Sequence, residues 1–145
     1  MRALQDSPDA FWFTADEEAT TTAVEWRRRL ERPDAATFVA SHDGVDVGLV
    51  VGAPHHQHEL DAGLYAMWVA PQARGAGVGV ALISAVIQWA RVAGHRAVRL
   101  EVGNTNAYAM RLYERVGFVP TGVAASLPPP RAHITAHERV LGLRL

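Results

Sequence analysis

The sequence predicts a single α/β domain, an α+β mixed sheet with helices packed against it. Three observations lead there. Apolar periodicities run in the order helix, hairpin strands, strand, helix, strand, helix, strands. A β-α-β unit is centred on a glycine-rich turn around Gly75. The 145 residues, 49% hydrophobic and 20% charged, suffice for one core and fall short of two enzyme-sized domains.

The elements follow from local pattern. Thr14-Ala15-Asp16-Glu17 has the form of a capping box, and Ala19, Ala23, Trp26 and Leu30 recur at helical spacing, which predicts a helix over 15–31 closed by Pro33. Thr37 to Ala40, the turn signal His42-Asp43-Gly44 and Val45 to Gly52 predict a hairpin. The polar segment 53–58 is a loop, and 60–69 is a third strand ending in Met67-Trp68-Val69. Val78, Leu82, Ala85, Trp89 and Val92 step by four and three opposite a polar stripe of Ser84, Gln88 and Arg91, so a largely buried helix begins at Val78, with Gly94 just past its end. Residues 97–102 alternate, with Val98, Leu100 and Val102 on one face and Arg99 and Glu101 on the other. Asn106 caps a short helix through Arg115 that Gly117 terminates. Residues 118–120 and 140–145 read as the last two strands, joined by a loop containing Pro128-Pro129-Pro130.

Composition excludes several functions. There is no cysteine and no lysine, so disulfides, thiolate zinc sites, cysteine nucleophiles, Walker A loops and Schiff-base chemistry are ruled out. A net charge of -1 argues against nucleic acid as partner, and the basic run Arg27 to Arg29 reads as the solvated face of a helix. The longest apolar run, 78–90, is interrupted by Ser84 and Gln88 and is too short to span a bilayer, so no membrane association is expected. The opening residues lack a basic segment followed by an apolar one, and the cytoplasm is the expected location.

The turn Gln72 to Gly79 lies between a strand and a helix, where amides of a first helical turn can cradle phosphate. A tight connection that needs glycine for its dihedral angles alone is the equal alternative. A dinucleotide site would use Glu101 as its ribose acid, but Gly75, Gly77 and Gly79 space as G-x-G-x-G instead of G-x-G-x-x-G.

Taken together, Met67 to Gly79 resembles the acyl-CoA signature of the GCN5-related N-acetyltransferases (the GNAT family), Gln/Arg-x-x-Gly-x-Gly/Ala, with Gln72, Gly75 and Gly77 in the defining places. A second block, Asn106 to Phe118, is similar to the family's Asn-x-x-Ala-x-x-Leu-Tyr-x-x-x-Gly-Phe. The resemblance spans roughly 36–145, and residues 7–11 also look like the second-helix region of many members. It implies a GNAT-like twisted mixed sheet that splays at a bulge near Val69.

It further implies an N-acetyltransferase that moves an acetyl group from acetyl-CoA, as co-substrate, to a primary amine in a ternary complex, without a metal. Backbone groups of Met67, Trp68 and Val69 would pair with the pantetheine and thioester. Arg74 and the amides of Gly75, Ala76, Gly77, Val78, Gly79 and Val80 would hold the pyrophosphate, and Asn106 would bond the pantetheine arm while capping its helix. Tyr113 would protonate the departing thiolate, the alternative being a core aromatic. Glu101, twelve residues earlier, matches the general base of members that acetylate protein N-termini; the alternative is a surface carboxylate paired with Arg99 or another arginine. Glu59 and Asp61 are the other candidate bases. The cluster His55-His56-Gln57-His58 has no matching metal ligands elsewhere and reads as a solvated loop, with a substrate-contacting rim as second choice. The proline loop either restricts the substrate mouth or is a stiff surface loop.

The chain departs from the family pattern. It opens on Met1 to Asp6, which resembles only the tail of the family's first helix, so the first strand and most of that helix are expected to be missing. The strand near Phe38 then becomes a sheet edge, and a homodimer or strand exchange covering it is expected. Ala76 and Val80 stand where many members carry Arg or Lys, leaving Arg74 as the charged side chain near the pyrophosphate. Partners are therefore an amine-bearing small molecule or peptide and a second copy of the chain. A noncatalytic acyl-CoA-binding or regulatory module is the alternative from another class.

Overall fold

The computed structural model describes residues 33–42, 44–75 and 77–143. The expected N-terminal helix, the place where a first strand is expected to be absent, and Ala76 lie outside them. Six strands form one sheet: β1 (Ala36–His42), β2 (Val45–Pro54), β3 (Ala62–Val69), β4 (Ala97–Gly103), β5 (Val119–Ser126) and β6 (Thr135–Gly142). Helix α1 (Val78–Val92) joins β3 to β4, and α2 (Ala107–Val116) follows β4. The strand order is β1-β2-β3-β4-β6-β5, with β3 and β4 parallel and every other neighbouring pair antiparallel. Among the described residues β1 is the last strand on its side of the sheet; whether it is the edge expected from the sequence turns on residues outside those described.

The core joins both helices to the sheet. Leu82, Ile83, Val86, Ile87 and Ala90 of α1 and Ala109, Leu112 and Tyr113 of α2 bury against Val50, Leu64, Val69, Val98, Leu100 and Val102. The buried stripe of α1 is thus rotated from the expected Val78-Leu82-Ala85-Trp89-Val92, and Val92 is 79% exposed. A helix apolar on nearly every side leaves its inward face to be chosen by its contacts. Glycines mark these contacts: a Cβ at Gly48 or Gly52 of β2 would crowd Leu82 or Trp89 of α1, and one at Gly79 of α1 would overlap Leu112 of α2.

The last two strands also differ from expectation. β6 begins at Thr135 and ends at Gly142 where 140–145 was expected, and β5 continues to Ser126 past a register shift between Pro120 and Ala124. Residues 135–139 look too polar for an interior strand, yet Ala136 and Glu138 are buried while His137 is exposed, an alternation obscured because one inward position carries charge.

That charge belongs to the feature that shapes the sheet. β3 and β4 pair only at Ala62 with Val98 and Gly63 with Arg99, then part. Arg99 clasps this apex. Its Nε donates to Asp61 Oδ2 at 2.7 Å and its Nη1 to Glu138 Oε1 at 3.0 Å, tying the start of β3, β4 and β6 together. Both carboxylates are buried, and Arg96 adds a longer contact to Asp61 at 3.6 Å. Beyond the apex β3 takes one extra residue against β2: Tyr65 pairs with Val51, but Trp68 pairs with Leu49. The bulge falls at Ala66, held at φ 55°, three residues before Val69, near which the resemblance led one to expect it. An alanine in the left-handed region is strained backbone, sustained by the pairing on either side.

Removing the clasp strands two buried carboxylates. Arg99→Met is expected to destabilise the fold by about 3 kcal/mol in urea unfolding, and a loss below about 1 kcal/mol would show that the clasp does not hold the apex.

Candidate active site

The parting strands make a fork whose β3 arm runs from Leu64 to Val69. Beyond Gly63 this arm does not pair with β4, so the side of Met67, Trp68 and Val69 turned toward the fork can pair with an extended ligand as a strand would. The carbonyl of Val69 is already engaged, accepting from Arg74 Nε at 3.0 Å.

At the mouth of the fork the chain turns through Pro71–Ala73 into α1. Gly75 and Gly77 lie at φ 84° and 85°, a conformation that costs glycine nothing and any other residue strain. A Cβ at either position would meet nothing within 4 Å, so the glycines serve the backbone path and leave open space beside it. Gly77 caps α1 with no side-chain hydrogen bond, and the first intrahelical bond runs from Ala81 N to Gly77 O at 3.0 Å. The amides of Val78, Gly79 and Val80 therefore precede the helical ladder and are suited to an anion. A Cβ at Gly79, by contrast, would meet Leu112 and the Tyr108 hydroxyl.

Arg74 lies with its guanidinium 5.1 Å from the centre of the Tyr108 ring. Tyr108 is a residue the sequence reading passed over. Its hydroxyl lies beside Gly79, and burial pushes its phenol above the ordinary value while Arg74 and Arg115 pull the other way. The sequence signal for it was weak, an aromatic two places into a short helix.

α2 shares the core with Met67 and Val69 of the β3 arm. Asn106 Oδ1 accepts from Ala109 N at 3.1 Å, the expected cap, which leaves its Nδ2 donors for another partner. Asn106 and Tyr113, seven residues apart, share a helix face. Tyr113 is buried edge-on to Phe118, with ring centres 5.8 Å apart, and burial drives its phenol well above the ordinary value of 10. The core-aromatic alternative for Tyr113 is thus what the structure displays, with a hydroxyl that keeps its proton.

On the sheet face opposite α1, Glu101 is half-buried and aligned across the strand pair with Glu138. The expected alternative, a carboxylate paired with Arg99, does not occur: Arg99 is committed to Asp61 and Glu138. Among the described residues Glu101 has no hydrogen-bond or ion-pair partner. Desolvation raises its affinity for a proton, Glu138 adds to that, and His56 opposes it. Asp61 is bound in the clasp, and Glu59 is exposed in the β2–β3 loop.

That loop is more ordered than the solvated segment expected. His55 is buried, and its Nδ1 accepts from the backbone N–H of Gln57 and of His58, both at 3.2 Å, which places its proton on Nε2. Burial and the neighbouring His56 and His58 lower its affinity for a second proton. His56 and His58 are exposed, and His56 Nδ1 lies 3.5 Å from the Tyr65 hydroxyl. Among the described residues no group of side chains has the arrangement of a metal site, and no helix is long and apolar enough to cross a membrane.

Comparison with known proteins fits this geometry. The acetyltransferase (GNAT) family matches residues 1–118, a span that begins well before the region whose motifs carry the resemblance. Mycothiol acetyltransferase of Cellulomonas flavigena is 33% identical over 132 residues, 83% of this chain and 38% of that protein. The crystal structure of nourseothricin acetyltransferase is 33% identical, with a TM-score of 0.71 over 77% of this chain and 67% of that one. A candidate streptothricin acetyltransferase from Bacillus anthracis, solved in complex with acetyl coenzyme A, shares the fold at a TM-score of 0.72 and 24% identity, over 82% and 68% of the two chains. The chain belongs to the GNAT acetyltransferase family, acyltransferases that take acetyl-CoA as co-substrate. It spans less than half the length of the curated relatives it matches.

Proposed function

We propose that this chain transfers an acetyl group from acetyl-CoA to a primary amine by direct attack in a ternary complex, in the cytoplasm. The observation that carries the reading is the fork: a strand arm without a β4 partner beyond Gly63 that opens onto a glycine turn with an uncapped helix end, with Tyr113 in the same core as Met67 and Val69 of that arm. The residues fit the co-substrate. Met67 and Trp68 offer backbone pairing to an amide-bearing arm, Asn106 Nδ2 offers a donor, and the amides from Gly77 to Val80 with Arg74 suit a pyrophosphate. The Val69 carbonyl, already bonded to Arg74, contributes by fixing that arginine at the turn.

Acetyl-CoA supplies an acyl group activated as a thioester. An amine is nucleophilic only when neutral, and Glu101, with no other partner to satisfy, is placed to take its proton on a carboxylate oxygen. Tyr113 keeps its proton throughout the neutral range and meets the departing sulfur as a donor. Acceptors range from amine-bearing small molecules, as the names of the nourseothricin and mycothiol enzymes suggest, to peptides.

Release of free CoA across a panel of amines tests the reading. Tyr113→Phe is expected to lower kcat by about 10²-fold with acetyl-CoA affinity nearly unchanged. In the unaltered protein kcat/KM should rise with pH through a step above the ordinary glutamate value near 4.5, and Glu101→Gln should abolish that step. Binding of acetyl-CoA without turnover of any amine would leave only a binding module.

Among the described residues β1 has no neighbour on its outer side, and this supports a homodimer, because such a strand suits a second copy. Light scattering at micromolar concentration is expected to return the mass of two chains, and the mass of one would contradict it.

A further inference from the structure

The glycine turn carries little charge of its own. From Pro71 to Ala90 the one charged side chain is Arg74, and the chain has no lysine to add another. Where the Arg74 guanidinium sits therefore matters to an anion at the first turn of α1. Two contacts place it. Its Nε donates to the Val69 carbonyl at 3.0 Å, and its guanidinium carbon lies 5.1 Å from the centre of the Tyr108 ring. The second distance is that of a cation–π contact, in which the ring attracts the cation without using a hydrogen-bond donor.

Tyr108 is held in turn by the packing of α1 on α2. A Cβ at Gly79 would come within 3.1 Å of the Tyr108 hydroxyl and closer still to Leu112, one turn further along α2. A Cα–Cβ bond in a helix tilts toward the N-terminus, so the hydroxyl lies at the end of α1 where the amides of Val78, Gly79 and Val80 precede the ladder. The side chain is half-buried and packs on the core, and among the described residues its hydroxyl has no hydrogen-bond partner. The tyrosine is thus not engaged in an internal polar network, and its polar contact is the one with Arg74.

We propose that Tyr108 is a positioning residue for acetyl-CoA: its ring holds the Arg74 guanidinium between the end of β3 and the first turn of α1, where the cation meets the pyrophosphate.

This rests on the reading of the turn as the pyrophosphate seat. An arginine that moves over many rotamers loses that freedom when it grips an anion, and one already placed at two points loses less. A ring can hold the face of a guanidinium while oxygen atoms take its N–H edge, so the two contacts do not compete. The ring's contribution should therefore appear as affinity for the phosphate-bearing part of the co-substrate, and only while Arg74 is present.

The test uses the full chain and two thioesters, acetyl-CoA and S-acetyl-pantetheine, which has the same acetyl group and arm without the phosphates. The unaltered protein should bind acetyl-CoA more tightly by at least roughly tenfold. Tyr108→Leu should lower acetyl-CoA affinity about fivefold and leave that for S-acetyl-pantetheine in place. Tyr108→Phe, which keeps the ring, should bind both like the unaltered protein. In an Arg74→Gln background Tyr108→Leu should cost nothing further. Equal losses with both thioesters, equal losses from Phe and Leu, or the same loss with and without Arg74 would each overturn the proposal. If the unaltered protein binds the two thioesters alike, the reading of the turn itself fails and the proposal falls with it. Should Tyr108→Leu fail to fold, NMR of the unaltered protein with acetyl-CoA bound decides. Overhauser contacts between the Tyr108 ring and the Arg74 side chain, with the Arg74 Nε–H shifted from its place in the S-acetyl-pantetheine complex, support the proposal; a ring and guanidinium apart in the acetyl-CoA complex overturn it.

Discussion

The structure depends on one interaction, the grip of Arg99 on Asp61 and Glu138 at the point where β3 and β4 cease to pair. A parallel strand pair that parts after two residues leaves backbone groups on both arms without partners, and nothing in strand propensity alone would hold it open. The guanidinium solves this geometrically. Its planar fork reaches one carboxylate at the start of β3 and another on β6, so three strands converge at the apex and are free to diverge beyond it. The bulge at Ala66 then turns the β3 arm, at the cost of a left-handed alanine. Strain at this place is informative because it coincides with the backbone that faces the fork.

The same clasp divides the acidic residues by role. Asp61 and Glu138 are structural because they are paired, and among the described residues Glu101 has no hydrogen-bond or ion-pair partner on the same sheet face. Across the sheet the requirements are different. Gly79 brings α1 against α2, which sets Tyr108 beside the glycine turn and fixes the helix that carries Asn106 and Tyr113. Both ends of the fork are thus built by packing as much as by the residues that would touch a ligand, which is why glycine at 79 and glycine at 75 and 77 have unlike reasons.

Much of this was legible in the sequence. Gly77 and Gly117 stand where the helix boundaries fall, Asn106 caps as its type and place suggest, and the two motif blocks name the family that the comparisons show. What escaped detection shares a cause. The inward face of α1 was invisible because hydrophobicity varies little around it. β6 was placed five residues late because Glu138 points inward, and a buried glutamate reads as surface until its arginine is known. The pairing of Glu101 with Arg99 was a reasonable inference from two residues on one strand face; it failed because partners 38 and 39 residues away in sequence claim the guanidinium. His55 was read as part of a solvated loop because no local pattern reveals a ring nitrogen that accepts two backbone amides. In each case the missing information is a long-range register or a side-chain contact, and neither leaves a periodic trace.

The central claim is that the β3 arm and the glycine turn together form the acyl-CoA slot. Amide hydrogen exchange with and without acetyl-CoA tests it most directly, since it reports on the backbone groups themselves. The account predicts slowed exchange at Met67 and Trp68 and at Gly77 to Val80 when acetyl-CoA is present, with little change along β1 or β5. Protection confined to other segments, or none at saturating acetyl-CoA, would contradict it.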